Sequence, residues 1–208
     1  MRRRFPALVG LLLLGSALEN AAAQAPWESP QLLAPASPEG VGLYIVDWGL
    51  GPGDGVGLML AWRGQPAPGG IGLRGGAARG FDDDIIVAGG VDLSLPVFNA
   101  SAEFPLDVIW TSGVGAAYGD YLQIGVPVGF AAGRAMGSET IWFNPYLSTR
   151  AVFEGYFGDE KPPDDFGLSL AVDIGADVSF DRGRDFILRL AASLGDRHAL
   201  IAGLHARL

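Results

Sequence analysis

Residues 166–180, FGLSLAVDIGADVSF, contain two sets of side chains that alternate along the chain without mixing. The first set is apolar and comprises Phe166, Leu168, Leu170, Val172, Ile174, Ala176, Val178 and Phe180. The second set is small or acidic and comprises Gly167, Ser169, Ala171, Asp173, Gly175, Asp177 and Ser179. Such a period of two predicts a β-strand. A strand with one continuous apolar face and one small or acidic face is typical of a position between lipid and a polar lumen.

The same alternation recurs along most of the chain. The predicted strands cover residues 41–48, 55–63, 70–78, 85–95, 106–117, 121–132, 140–151, 166–180, 186–194 and 199–208. Glycine and proline interrupt every window in which an amphipathic helix could start. We therefore expect an all-β fold, an antiparallel up-and-down transmembrane β-barrel of ten strands.

The charge of the connections gives a separate test of the strand count. The odd-numbered connections would share one end of the barrel, and each of them is acidic, with Asp54, Asp82, Asp83, Asp84, Asp120, Asp159, Glu160, Asp164, Asp165 and Asp196. The even-numbered connections are mixed or nearly neutral. This division supports ten strands. Eight strands remain an alternative, because the third predicted strand is rich in glycine.

The N-terminal region divides into two parts. Residues 1–23 have three arginines, an apolar run and closing alanines, which predicts a secretory signal peptide. Residues 24–40 contain several prolines and are expected to form an extended periplasmic leader. Residues 41–208 would form the barrel. Removal of the signal peptide would change the formal charge from −9 to −11.

The composition excludes several classes of function. Strong acidity argues against nucleic acid as a partner. The chain has no cysteine, so disulfides and thiol chemistry are excluded. No nucleotide-binding, hydrolase or zinc signature occurs. Carboxylates at residues 82–84 and 159–165 suit divalent cations, but we favour solvated loops because the spacing matches no calcium-binding loop. We expect no cofactor, no metal and no catalytic residue.

In its architecture the chain resembles the small bacterial outer-membrane β-barrel proteins, the class of the OmpA transmembrane domain and of OmpX-like and OmpW-like proteins. The resemblance rests on the signal peptide and the alternating segments over residues 41–208. Those barrels commonly end in an aromatic residue, whereas this chain ends in Leu208. The resemblance implies a monomer in the bacterial outer membrane, in contact with membrane lipid and lipopolysaccharide and inserted by the barrel-assembly machinery.

Polar residues on the inner face can be aligned by counting register. Placing Phe180 opposite Phe186 sets Asp177 opposite Arg189, and placing Leu194 opposite Leu200 sets Arg189 opposite His205. Asp173 and Arg207 would lie nearby. We interpret these five residues as a lumen network of paired charges rather than as a catalytic site. The other predicted lumen polar groups are Asp92, Asp107, Gln123, Asn144, Tyr146 and Arg150.

Aromatic residues are expected in two bands at the membrane interfaces. The predicted outer band comprises Trp48, Tyr118, Tyr121 and Phe166, and the inner band comprises Trp62, Phe104, Trp142, Phe180 and Phe186.

Three hypotheses about function follow from the sequence. The first is a structural or narrow-pore barrel in the outer membrane. The second is an outer-membrane enzyme that modifies lipid, with His198 or His205 and a serine. The third is a soluble periplasmic barrel that binds an apolar ligand, which would require the apolar face to point inward. We favour the first, because the polar face carries more glycine than charge.

Overall fold

The structure is a computed structural model that describes residue 27 and residues 30–47, 56–79, 85–138, 140–159, 161–181, 183–196 and 198–208. The predicted signal peptide at residues 1–23, Trp48 and part of the acidic connections lie outside the described residues.

The strands are β1 Gly40–Asp47, β2 Val56–Arg63, β3 Ile71–Arg79, β4 Ile85–Phe98, β5 Asp107–Tyr118, β6 Leu122–Gly133, β7 Met136–Gly137, β8 Trp142–Phe157, β9 Phe166–Ser179, β10 Phe186–Gly195 and β11 Ala199–Ala206.

Ten of these strands form a closed antiparallel barrel, which confirms the ten-strand prediction. Each long strand pairs with its neighbours along the chain, β6 pairs with β8, and β1 pairs with β11 to close the ring. The two-residue strand β7 pairs only with the start of β8 and lies outside the ring. We call the end where β1 begins and β11 finishes the terminal end, and the opposite end the far end.

The described residues contain no helix that is long and apolar enough to cross a membrane.

The alternation of side chains separates the two faces of the barrel wall. In β9, Phe166 is 77% exposed on the outside, whereas Asp173 and Asp177 are 0% exposed on the inside. The other long strands place leucine, isoleucine, valine and phenylalanine outward in the same way. The inward set includes arginine, aspartate, serine, asparagine and glutamine. The outer surface is therefore apolar and the interior polar, which is the reverse of a water-soluble barrel.

Two aromatic residues predicted for the interface bands are instead buried. Tyr121 packs edge to face against Tyr156, with 5.9 Å between ring centroids. Trp142 lies beneath the guanidinium of Arg184 at 5.4 Å. Both rings lie at ends of strands, where Tyr156 of β8 packs against Tyr121 and Arg184 of the connection before β10 covers Trp142.

The register of β10 confirms one predicted pairing and corrects another. Arg189 lies opposite Asp177 of β9, as the counting across that turn predicts. The predicted pairing of Arg189 with His205 is wrong, because Arg189 faces Gly203 and His205 faces Ile187. The shift is two residues. The last pair of β10 and β11 is Ser193 with Ala199, whereas the predicted register would place Ala199 opposite Gly195, so the connection takes two more residues from the end of β10 than predicted.

The N-terminal segment differs from the expected position of an extended leader ahead of the barrel. Trp27 and residues 30–35 are buried inside the ring, and residues 36–39 lead from them to β1. We call Trp27 together with residues 30–39 the plug. Its residues pair with no strand, so the plug fills the lumen without belonging to the sheet.

Closure through β1 and β11 can be tested with paired cysteines, since the chain has none of its own. Leu43 and Leu204 face each other across this pair and are both exposed. Facing Cα atoms lie about 4.5–5.5 Å apart, within reach of a disulfide. We expect Leu43→Cys/Leu204→Cys to lose both thiols on mild oxidation, as measured by intact mass and thiol titration.

The matched control is Leu43→Cys/Leu200→Cys, which moves one cysteine four residues along β11, or about 13 Å. This pair should keep both thiols. Cross-linking of the control without cross-linking of the facing pair would contradict the register that closes the ring.

Candidate functional site: the plugged lumen

The plug joins the barrel wall at the terminal end through Gly40 and Glu39. Gly40 has a φ of +137°, a conformation that residues with a side chain rarely adopt. The chain can therefore turn from β1 into the lumen at this residue. The Glu39 carboxylate accepts a hydrogen bond from Arg207 Nε at 2.8 Å. This bond is the largest of the effects that lower the pKa of Glu39.

A hydrogen-bonded chain of side chains connects Glu39 to the wall. Arg189 donates to the Tyr44 hydroxyl at 3.4 Å, and that hydroxyl lies 3.3 Å from His205 Nδ1. His205 Nε2 lies 3.1 Å from the Glu39 carbonyl oxygen, which can only accept. A neutral imidazole with its proton on Nε2 satisfies both contacts. His205 thus holds the plug's main chain.

Ser37 connects the plug to the Asp177–Arg189 ion pair. Residues 34–37 form a turn in which the Ser37 amide donates to the Ala34 carbonyl at 3.0 Å. The Ser37 hydroxyl donates to Asp177 at 3.4 Å and accepts from Arg189 at 3.2 Å. Arg189 also holds Asp177 directly through two bonds of 2.6 and 2.8 Å. The ion pair is therefore complete within the wall, and the serine adds to it.

Two adjacent leucines of the plug pack against different walls. Leu32 and Ala34 join a cluster of inward-facing apolar side chains, which also contains Tyr44, Val46, Met59, Ala78, Tyr146, Ala191, Ala199 and Ile201. Leu33 joins a second cluster with Ile109 of β5 and Ala131 of β6. Successive side chains of an extended segment point in opposite directions, so neighbouring leucines can contact separate parts of the ring.

The main chain of the plug is held by polar side chains of the wall. Tyr146 donates to the carbonyl oxygen of Gln31 at 2.8 Å, and the Ser148 hydroxyl donates to the side-chain oxygen of Gln31 at 2.6 Å. Arg74 donates to the carbonyl oxygen of Pro30 at 3.2 Å. The bonds from Tyr146 and Arg74 satisfy backbone oxygens that would otherwise be buried without a partner.

Arg74 belongs to a second charged group on the wall. Asp92 accepts from Arg74 at 3.2 and 3.3 Å and also pairs with Arg63. One carboxylate thus lies between two guanidinium groups. Arg74 additionally lies over the ring of Trp27, with 5.3 Å from its Cζ to the ring centroid. A cation over the face of an indole is attracted by the negative potential of the ring.

Trp27 lies on a surface made of glycine. A Cβ built on Gly90, Gly113 or Gly115 would lie less than 3 Å from an atom of the Trp27 ring. Gly90 and Gly115 face each other across β4 and β5, and Asp92 faces Gly113. The ring is 3% exposed between this surface and Arg74. Glycine on the inner face therefore makes space for the plug.

A small cavity lies between the plug and the wall at the level of these charges. A cavity of about 20 Å³ is lined by residues that include Leu32, Arg74, Asp92, Arg189 and His205. That volume holds about one water molecule.

The five predicted network residues occupy three places. Asp177, Arg189 and His205 are linked through Tyr44 and the plug. Asp173 pairs instead with Arg150, which also donates to Ser193 at 3.2 Å. Arg207 lies at the rim, bonded to Glu39. The sequence therefore places these residues on the correct face but does not show that they form separate groups.

The other predicted lumen residues are mostly inward and buried. This holds for Asp92, Gln123, Asn144, Tyr146 and Arg150, whereas Asp107 is half-buried at the rim and accepts from the Ala100 amide at 2.8 Å. Gln123 donates to Glu154, which also accepts from Ser169 at 2.6 Å. Sequence reasoning missed Arg63, Arg74, Glu154 and the plug.

The lumen holds a segment of the chain's own backbone. The buried charges are paired, and the hydrogen bonds from the wall end on the plug's carbonyl, hydroxyl and amide oxygens. Among the residues that the structure describes, no group of three or more His, Asp or Glu is placed to hold a metal ion.

Comparisons with known proteins leave the family open. No protein-family model matches the chain, and no curated protein is similar to it. A solved structure described as "De novo design of transmembrane beta-barrels" aligns over 83% of this chain and 98% of its own, with 13% identity and a TM-score of 0.36. At that level the likeness adds nothing to the argument, and the barrel architecture rests on the strand pairing itself.

The fit of Trp27 against Gly90 can be tested by a double-mutant cycle. In Gly90→Ala the new Cβ meets the indole ring, so we expect a loss of about 1–3 kcal/mol in the free energy of unfolding. In Trp27→Ala/Gly90→Ala the obstruction is absent, and the combined loss should be smaller than the sum of the two single losses. Urea unfolding in detergent micelles measures the free energy of unfolding of the wild type, the two single variants and the double variant.

The matched control is Gly75→Ala, whose Cβ would meet its nearest atom at 3.5 Å, an ordinary contact. It should show no coupling to Trp27→Ala. Strictly additive losses for Gly90→Ala and Trp27→Ala would show that the ring does not rest on this glycine.

Proposed function

We propose that this protein is an integral β-barrel of the bacterial outer membrane with a structural role, closed to solutes in its resting state by its own N-terminal segment. The observation that carries the proposal is the inverted polarity of the barrel, with apolar residues outside and paired charges inside. A continuous apolar surface around the whole ring is far larger than soluble monomers expose. Contact with lipid is the condition under which such a surface is stable.

The dimensions of the strands support a membrane position. The ten barrel strands contain between 8 and 16 residues. A tilted transmembrane strand needs about 9–11 residues to cross the hydrocarbon layer. The shorter strands β1, β2 and β11 are adjacent in the ring, so the barrel is shortest on one side.

Exposed aromatic residues at both ends of the barrel also support a membrane position. Tyr118, Phe157 and Phe166 lie at far-end strand termini, and Trp62, Phe104, Phe180 and Phe186 lie toward the terminal end. Aromatic bands at both interfaces are characteristic of membrane barrels. The proposal places the terminal end in the periplasm, because the predicted signal peptide precedes β1.

The closed ring supports a monomer. Every barrel strand has a hydrogen-bonded neighbour on both sides, so the sheet presents no free edge to a second chain. The partners that the proposal includes are membrane lipid, lipopolysaccharide and, during insertion, the barrel-assembly machinery.

The two alternative functions receive less support from the geometry. A lipid-modifying enzyme would need a reactive group in contact with lipid, but His205 is 2% exposed and its ring nitrogens lie against Tyr44 and Glu39. A soluble barrel for an apolar ligand would need an apolar interior, but the described interior contains four arginines, three aspartates and a glutamate.

Flotation of the refolded chain with lipid vesicles tests the membrane part of the proposal. We expect the chain from Gln24 onward to float with vesicles after a wash in carbonate and to show no steady conductance in planar bilayers. Recovery of folded protein in the soluble fraction without detergent would refute the membrane role. A large steady conductance would refute the closed resting state.

The depth dependence of an introduced charge gives a sharper test. Ile174 lies outward near the middle of β9, and Phe180 lies outward just after its end. Arginine costs about 2–4 kcal/mol at the bilayer midplane and about 0–1 near an interface. We therefore expect Ile174→Arg to reduce the free energy of unfolding in vesicles much more than Phe180→Arg. Equal small effects would indicate that the outer face meets water.

A further inference from the structure

We propose that the lumen is a binding site for an extended peptide, occupied in the resting state by the plug, and that release of the plug turns the barrel into a pore. This inference rests on the proposed membrane location. Four features of the structure carry it.

The first feature is that the barrel is complete without the plug. All ten barrel strands are paired on both sides by other barrel strands, and no plug residue contributes to a strand pair. The segment is attached covalently only through Gly40. Its departure therefore leaves the hydrogen-bonded ring intact.

The second feature is that the wall's charges are paired among themselves. Arg74 has Asp92, Arg189 has Asp177 and Arg150 has Asp173, each within the wall. The plug contributes no charge to these pairs, since it offers the carbonyl oxygens of Pro30 and Gln31 and the hydroxyl of Ser37. Water can replace the hydrogen bonds of these groups when the segment leaves.

The third feature is the hinge. Gly40, the first residue of β1, joins the plug to the wall and has a positive φ, so the change of direction is concentrated at a residue with wide conformational freedom. Ala67 donates its amide to the Ser37 carbonyl at 2.8 Å, which places the connection between β2 and β3 over the plug at the terminal end. Outward movement would break this contact together with the bonds of Glu39.

The fourth feature is the size and character of the vacated space. Ten strands at about 4.8 Å spacing and 40° tilt enclose a ring about 20 Å across between backbones. An extended segment with side chains on both faces needs roughly 10 Å. Removing it would leave a passage of that width, widest beside the glycine surface under Trp27.

Charge in this passage is balanced. The described inward charges are Arg63, Arg74, Arg150 and Arg189 against Asp92, Glu154, Asp173 and Asp177. Four positive and four negative groups predict only weak selectivity between small cations and anions. The passage would accept small hydrophilic solutes or an extended peptide with apolar residues spaced like those of the plug.

The test uses the full chain and changes only plug residues. In Leu32→Asp/Leu33→Asp, each new carboxylate would have to enter an apolar cluster, so the plug should be expelled while every wall residue is retained. We expect discrete openings in planar bilayers that the wild-type chain does not show. The matched control, Ser101→Asp/Ala102→Asp, adds the same two charges to an exposed connection away from the plug's apolar contacts and should remain closed.

A synthetic peptide of residues 27–39 tests the binding site directly. Added to the open variant, it should close the pore in a concentration-dependent way, and the same peptide with Trp27→Ala should need at least a tenfold higher concentration. Closure by any peptide of equal length and charge, with no effect of Trp27, would overturn the binding site.

A disulfide lock provides a second route if the double aspartate variant does not fold. Leu33→Asp/Ser37→Cys/Ala67→Cys combines one expelling substitution with thiols on two segments whose main chains are hydrogen-bonded. Openings that occur only after reduction support the inference. Equal conductance of the oxidised and reduced forms overturns it.

Flotation of each variant separates the two proposals. Variants that float with vesicles but never conduct, even with the plug expelled or unlocked, refute the pore and leave the structural membrane role standing. Variants and wild type that all fail to float refute both.

Discussion

The structure depends on one geometric constraint, which is that ten strands enclose more space than their own inward side chains fill. A barrel of about eight strands is just filled by its side chains. Two more strands widen the ring, and this inner face is rich in glycine, which widens it further. The interior must then hold water or some other part of the chain. In this protein a stretch of main chain fills it, with Trp27 against glycine and adjacent leucines against separate walls.

The polar interior follows from the same constraint. Charged groups that are removed from bulk water are strongly destabilising unless each has a partner. The pairs Arg74–Asp92, Arg150–Asp173 and Arg189–Asp177 meet this requirement across strands of the wall. Because the wall pairs its own charges, the plug can be uncharged over most of its buried length. The carbonyl oxygen of Pro30 is in turn satisfied by Arg74, a donor that the ion pair with Asp92 holds in place.

The sequence predicted the wall well because a period of two determines which face each residue occupies. Leu170 and Asp173 could be assigned to opposite faces without knowledge of any contact. The same period explains the wrong pairing of Arg189, since a slip of two residues between β10 and β11 leaves every side chain on its correct face. The two registers differ in how many residues the connection between β10 and β11 contains, and the alternating pattern does not determine that number.

The plug could not be predicted in the same way, because it has no periodicity and its partners are distant in sequence. Gln31 is bound by Tyr146, which lies 115 residues further along the chain. A signal was nevertheless present. Trp27, Leu32 and Leu33 are large apolar residues in a stretch that was expected to be exposed, and the inner face carried more glycine than a filled interior requires.

The position of the plug next to β1 also bears on the order of assembly. The ring closes by pairing its first strand with its last, and contacts between residues so far apart in sequence form late, because of the chain entropy that must be lost. Before this seam forms, the curved sheet is open along one side, and the segment attached to β1 lies beside the gap. The plug can therefore be laid into the open sheet and enclosed as the last two edges meet. It need not be threaded through a finished ring.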